Sequence, residues 1–283
     1  MLKKIVIVLA VLALVVWLGL PRLLTALGLH PECPAFEGDL SGRSALVIST
    51  SHDEMCGEKG GKTGVAASEL LHPYYEFLDA GMDVDIASIQ GGEIPIEPGM
   101  LDWPLAGAYE KRFKADPVAL ERVAKSKKID DIDFTQYDVV FLAGGWGAAF
   151  DLGQSKVLGD KITEANAKGV TLGAVCHGPL GLIQARDVDG SPLLKGRRAT
   201  GVTNEAVEAL GITCTPMHPE TEMRRVGAIF EEDQEGLHAL FTNYRTQDGN
   251  LFTGMNQNAS CSTAQDIMVS LRDRAAVVSR AGP

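Results

Sequence analysis

A chain of 283 residues, 45% of them hydrophobic, can bury one large core, and its continuous α/β patterning favours one folded unit over two. Its formal charge of −11 comes without a basic stripe, which excludes nucleic acid as a partner because phosphate binding needs clustered Lys and Arg. The same anionic balance gives no help to anionic guests, so a small neutral electrophile is the easier ligand.

Residues 1–29 do not belong to the fold. Lys3 and Lys4 precede an uninterrupted apolar run, Ile5 to Leu20, that ends at Pro21 and Arg22. The run exceeds the usual signal length and, extended by Leu23 to Leu29, approaches the ~20 residues that span a bilayer. The expectation is an uncleaved anchor with the body outside the cytoplasm, since the lysines before the run hold the N-terminus inside. The alternative is a secreted protein, cleaved at the small-x-small run Ala26-Leu27-Gly28. Residues 30–42 carry Pro, Gly and acids without periodicity and read as a linker.

The folded body, 43–283, opens with Ser44 to Thr50, a short apolar strand that enters a polar, Gly-rich loop over 51–62. Thr63 to Ala80 reads as a helix with one buried face, broken or reset at Pro73. Glu69 sits among its apolar positions, where a solvated glutamate would be the ordinary case. Gly81 to Ser88 alternates as a strand after a glycine stop, which implies a parallel pair and a right-handed crossover. Leu105 to Lys128 reads as mostly helical, divided at Pro117, within an insertion over about 91–130. Tyr137 to Ala143 is a buried strand ending in Gly144-Gly145-Trp146-Gly147, and glycines there let backbone N–H groups approach a ligand. Leu158 to Lys168 is amphipathic.

Val170 to Val175 is a further buried strand, and it stops at Cys176-His177-Gly178-Pro179. Pro179 can start a helix over 179–185, because a first-turn proline sacrifices no hydrogen bond. The thiol therefore falls on a strand-to-helix turn, which lifts a side chain off the sheet, aims N–H groups at it and lowers its pKa. Arg198 to Val202 returns as a strand, Pro219 to Arg225 begins a helix, and Leu237–Tyr244 with Asn250–Thr253 reads as a hairpin across Asp248-Gly249. Ser262 to Val278 closes the fold as a helix. Five cysteines in an exported body would let Cys33, Cys56, Cys214 and Cys261 pair while Cys176 stays free. No Cys/His spacing suggests zinc.

Ala174-Val175-Cys176-His177-Gly178-Pro179 resembles the nucleophile elbow of the ThiJ/PfpI family, within the class I glutamine amidotransferase-like fold, and is closest to its glutathione-independent glyoxalase and heat-shock chaperone-type branch. Gly64-Val-Ala-Ala-Ser-Glu69-Leu-Leu-His72-Pro73 resembles the family segment that carries a buried carboxylate. Gly144 to Asp151 resembles its second oxyanion segment, and Gly254 to Ser260 the stretch after its last strand. The resemblance implies a flavodoxin-like three-layer α/β sandwich with a mainly parallel sheet, a nucleophile elbow and a small cap. It makes Cys176 the nucleophile, His177 and Glu69 the proton carriers, and the Gly145 or Trp146 N–H the oxyanion donor opposite that of His177.

Burial would raise the Glu69 pKa. Two departures stand out. Trp146 occupies a place where this branch commonly has His, so any proton or metal role of that His is lost. The acid that orients the histidine is not at its place either: ungapped alignment sets Val207 there, with Glu205 and Glu208 nearby, and Glu205 is the candidate carried forward.

The function so implied is conversion of a small 2-oxoaldehyde such as methylglyoxal to a 2-hydroxy acid, without glutathione, metal or other cofactor. A cysteine amidase or peptidase would use the same thiolate and donors. A membrane-tethered redox sensor or holdase, its thiol oxidised rather than turned over, is the non-catalytic alternative. Relatives often form homodimers, and no feature of this sequence identifies an interface.

Overall fold

The computed structural model describes residues 2–26, 33–57, 60–212, 214–233, 239 and 241–281. After an N-terminal helix, α1 (Leu2–Ala26), come β1 (Ser44–Ser49), α2 (Ala67–Asp79), β2 (Asp83–Ser88), α3 (Ala108–Ala115), α4 (Pro117–Ala124) and β3 (Lys127–Lys128). Then follow β4 (Val139–Leu142), α5 (Ala148–Asp151), α6 (Lys156–Ala167), β5 (Thr171–Val175), β6 (Arg198–Ala199), α7 (Asn204–Ala209), α8 (Pro219–Arg225), β7 (Ile229–Phe230), β8 (Arg245–Asp248), β9 (Leu251–Gly254) and α9 (Ser260–Ala281). The main sheet has the order β3-β2-β1-β4-β5-β9-β8, parallel throughout except for the β8–β9 pair. It is an α/β fold with a mostly parallel central sheet.

Side-chain alternation explains why both faces are covered. Ala45, Val47, Val139 and Phe141 face one core with Leu70 and Leu71 of α2 and Ile267 and Met268 of α9. Leu46, Ile48, Val140 and Leu142 face the other, with Leu158, Ile162 and Ala165 of α6. The central strands are short apolar runs because neither face meets water.

Several boundaries depart from the sequence expectation, each for a local reason. The helix read over 63–80 starts only at Ala67 and runs on through Pro73. Pro73 cannot donate to the Glu69 carbonyl, but that missing bond lies in the first turns, where its cost is local. After Cys176 the chain forms a 3₁₀ segment, Gly178–Leu182, instead of an α-helix over 179–185. The hairpin's first arm is Arg245–Asp248, a polar edge strand without an apolar signature, and not Leu237–Tyr244. Of that expected arm, 237, 238 and 240 lie outside the described residues.

The stretch read as a linker is packed where it is described. Cys33 is disulfide-bonded to Cys261 of α9, Leu40 is buried with its N–H donated to the Ala80 carbonyl, and Arg272 of α9 donates to the Glu37 carbonyl at 3.0 Å. A second disulfide joins Cys56 to Cys214, and Cys176 is the free cysteine, as the odd total allowed. α1 has one 22-residue stretch, Lys3–Leu24, apolar and long enough to cross a membrane, and none of it is buried against the body.

Candidate active site

The site forms where the parallel strands β1, β4 and β5 end, the usual place for a ligand crevice in an open α/β sheet. β5 delivers Cys176 at φ 57°, a left-handed backbone that costs a non-glycine residue of order 1–3 kcal/mol. The surroundings hold it there. Cys176 N–H donates to the Gly254 carbonyl at 3.0 Å, and its own carbonyl accepts from Val202 N–H at 3.1 Å. The elbow is thus clamped between β9 and the segment after β6.

Glu69 reaches the same point from the first turn of α2 and is 1% exposed. It is the hydrogen-bonding neighbour of the Cys176 thiol. Burial first, and then the Glu97 carboxyl, push its pKa up to about 8, against the opposing pull of the thiol and of the Gly144 and Gly145 N–H groups. Its Oε2 is buried without a hydrogen-bond partner. At neutral pH the carboxyl is therefore mostly protonated and has a proton to give, and it becomes a base as pH approaches about 8.

The thiol itself departs from expectation. Burial and the adjoining Glu69 carboxyl push Cys176 up, well above an ordinary thiol, where the turn geometry alone would have lowered it. A 3₁₀ turn supplies little helix dipole, and desolvation of a buried sulfur outweighs it. His177 Nδ1 lies 3.5 Å from Cys176 Sγ, and burial, with His218 adding to it, lowers the ring to about 3, so the imidazole is neutral. Its Nε2 is buried without a partner.

Gly144 and Gly145 bring the second oxyanion segment close. A Cβ on Gly144 would meet Glu69 Oε2 and come within 2.6 Å of His177 N, while Gly145 needs φ +87° and abuts the backbone at 64–66. The Gly145 N–H faces both Glu69 and the sulfur. Trp146 does not serve as expected, because its N–H donates to Glu97 Oε1 at 2.6 Å. Its indole tilts against the His177 ring, the ring centroids 4.6 Å apart.

Glu205 is a correction. It stands exposed in the first turn of α7 and does not line the cavity; Glu208 is exposed as well. Val207 is buried in the same apolar cluster as Cys176, so hydrocarbon fills the region where an orienting acid was sought.

Three cavity-lining groups escaped the sequence reading. Glu97, in Pro95-Ile96-Glu97-Pro98, arrives because Val65 N–H donates to the Pro95 carbonyl and Glu97 N–H to the Val65 carbonyl, a short parallel bridge beside the start of α2. Burial raises its pKa to about 7. An acid enclosed by two prolines in an otherwise apolar run was the available signal. His72 and Glu110 are both buried, with Nε2 and Oε1 3.6 Å apart, and join α2 to α3. Burial opposes the Glu110 charge, but the His72 ring and nearby N–H groups outweigh it and hold the carboxyl low.

The cavity enclosed by these groups measures about 320 Å³ and is otherwise lined largely by apolar side chains, with Met100 and Leu105 contributed by the insertion. Among the described residues, no group of three or more His, Cys, Asp or Glu is placed to hold a metal ion.

A model of the DJ-1/PfpI family matches residues 62–268, the span that carries Glu69, Glu97, Gly145, Cys176 and His177. The chain belongs to the DJ-1/PfpI family. Within it, the chain is similar to "Glyoxalase 3" of Candida albicans, 29% identical over 235 residues, covering 80% of this chain and 97% of that one. It is 30% identical over 237 residues to the "Glutathione-independent glyoxalase HSP31" of Saccharomyces cerevisiae, covering 80% and 96%. The crystal structure of glyoxalase III from Candida albicans superposes with a TM-score of 0.72 at 27% identity, covering 80% of this chain and 96% of that one. These relatives support an enzyme of glyoxalase III type.

Proposed function

We propose that the protein is a cysteine-dependent, glutathione-independent glyoxalase-like enzyme that converts small 2-oxoaldehydes, methylglyoxal among them, to 2-hydroxy acids. The observation that carries this reading is the Glu69 carboxyl, buried and set against the Cys176 thiol inside a cavity, where burial pushes its pKa up. Cys176 adds to the aldehyde carbon, and the thiol proton ends on the former carbonyl oxygen, giving a hemithioacetal. The Gly145 and His177 N–H groups are the donors available to that oxygen. Ionised Glu69, the hydrogen-bonding neighbour of the thiol, takes its proton and passes it to that oxygen, while the neutral His177 ring packs beside the sulfur.

Ionised Glu69 then takes the C1 proton and returns it to C2, while the C1 hydroxyl proton passes to the C2 oxygen. The result is a thioester of the 2-hydroxy acid. Water cleaves it to the acid and the free thiol, so the net change is addition of water, and no electron leaves the substrate.

The rivals, a redox sensor and a cysteine amidase or peptidase, would use the same sulfur, and the relatives named as glyoxalases favour the present reading over them. The catalytic body is proposed to stand outside the cytoplasm on an uncleaved α1. The two disulfides suit an oxidising compartment, and Lys3 and Lys4 suit an inside N-terminus.

The test is lactate production from methylglyoxal by the full chain in nanodiscs without glutathione, beside Cys176→Ser and Glu69→Gln. Turnover by wild type and loss in both variants is the expected result. Wild type that forms no lactate while its thiol oxidises readily to a sulfenic acid overturns the reading.

A further inference from the structure

The cavity opens through an apolar rim. Leu105, Leu210 and Phe241 line it and are nevertheless 42%, 47% and 41% exposed, and Trp103, next to Leu105 on the insertion, is 47% exposed. A pocket for a three-carbon, water-soluble guest has no need of such a border. Its volume of about 320 Å³ falls in the ~300–1,000 Å³ range of pockets that take much larger molecules.

Two independent features say what covers this rim. The first is the short connection to α1. Because Cys33 is fastened to Cys261, only residues 27–32 separate the end of α1 at Ala26 from the packed body, a reach of at most about 25 Å. Cys261 follows Asn256 and Gln257, which line the cavity, and its sulfur is 3.9 Å from the hydroxyl of Tyr109 on α3. The second is a direct contact, in which Trp103 Nε1–H donates to the Trp17 carbonyl of α1 at 3.1 Å. Trp17 lies seven residues before Leu24, the outer end of the apolar stretch, about 10 Å along the helix and within the depth of the outer leaflet.

We propose that the apolar rim dips into the outer leaflet of the bilayer spanned by α1, and that the guest is a 2-oxoaldehyde bearing an alkyl chain, its head in the cavity and its tail in the lipid. The membrane part of this proposal rests on the uncleaved α1 proposed above, and the substrate part on the glyoxalase-like reading. The chemistry at C1 and C2 is unchanged, and the rim selects by chain length. The membrane concentrates such guests, which dissolve poorly in water.

The experiment uses the full chain in nanodiscs of phosphatidylcholine, with and without brominated acyl chains. In a Trp17→Phe background, lipid bromine should quench part of the fluorescence, and adding Trp103→Phe should remove most of that quenching, leaving only what Trp146 contributes. Turnover is then compared for methylglyoxal and a 12-carbon 2-oxoaldehyde (~12 carbons, long enough to partition into lipid). Wild type should favour the long guest in kcat/KM by about tenfold or more, and Trp103→Glu should reduce that figure about tenfold while methylglyoxal turnover stays within about twofold.

Equal quenching with and without Trp103 overturns the membrane-facing rim, as does a Trp103-dependent crosslinked dimer in place of quenching. No preference for the long guest, with methylglyoxal turned over normally, overturns the substrate class. Quenching at Trp103 with neither aldehyde turned over overturns the glyoxalase-like reading and, with it, the substrate class, while the rim assignment stands.

Discussion

The two walls of the cavity are built differently. The sheet-side wall, made by Glu69, Gly144, Gly145, Cys176 and His177, sits on strand ends and the first turn of α2, each held by backbone hydrogen bonds and buried on every side. The opposite wall, with Glu97, Met100, Leu105, Leu210 and Phe241, comes from loops and short helices and is partly open to solvent. Rigid elements fix reacting groups to within fractions of an ångström, whereas loops can change shape and polarity without disturbing the sheet. The difference teaches that chemistry and guest selection are separable in this molecule.

Breaking the sheet-side wall should have the largest effect. Cys176→Ser removes the nucleophile, and methylglyoxal turnover should fall at least about 10³-fold with unchanged melting. A variant that keeps a tenth of wild-type turnover would end covalent catalysis by this residue.

Glu69→Gln is next, with a loss of about 10²- to 10⁴-fold. The base acts in its ionised form and its pKa is about 8, so wild-type kcat/KM should climb through neutral pH and level off above about 8, and the Gln variant should lack that climb. Stability carries the opposite sign. The folded pKa exceeds the ordinary 4.5, so as pH rises from about 4.5 to about 8 the unfolded chain releases a proton that the folded one keeps, and wild type loses stability. Glu69→Gln should therefore melt higher than wild type at pH 8, with the gap closing toward pH 4.5. A pH-independent gap would mean that the carboxyl is not held protonated by the fold.

How far the sequence revealed these walls follows from the same distinction. Cys176 was legible because a buried strand ending in Cys-His-Gly-Pro leaves a local pattern, whereas Glu69 was legible only through its segment's resemblance to the family, since helical spacing alone would have left it in solvent. The central strands were legible for that reason too. Glu97 was not, since its arrival depends on a bridge between Val65 and Ile96, some thirty residues apart, which no periodicity announces. The polar β8, Arg245–Asp248, was missed because an edge strand need not be apolar. The fate of the thiol was misjudged because a turn's dipole can be read from spacing, but the desolvation that outweighs it depends on the whole surrounding cluster.

On the loop wall, Glu97→Gln should act through Glu69. Ionised Glu97 disfavours a charge on Glu69, so the amide should let Glu69 ionise at lower pH. Because Glu97 itself titrates near 7, the gain should show at about pH 7.5, by roughly threefold in kcat/KM, and vanish below about pH 6, where Glu97 is already neutral in wild type. An unchanged profile would show that the two carboxyls do not sense each other.

The smallest effect should come from Glu205→Gln. If a third acid were needed to orient His177, its loss would cost orders of magnitude, as in other nucleophile–histidine–acid sites. Here Glu205 faces solvent on α7, Val207 occupies the apolar cluster around Cys176, and His177 is set by Trp146 on one side and the sulfur on the other. A neutral imidazole held by packing needs no carboxylate to choose its orientation, only walls that leave it one. Turnover of Glu205→Gln should therefore stay within about twofold of wild type across pH 6 to 9 (a range of roughly three units around the Glu69 transition). A hundredfold loss would mean that α7 swings inward during the reaction and that the loop-side wall takes part in the chemistry after all.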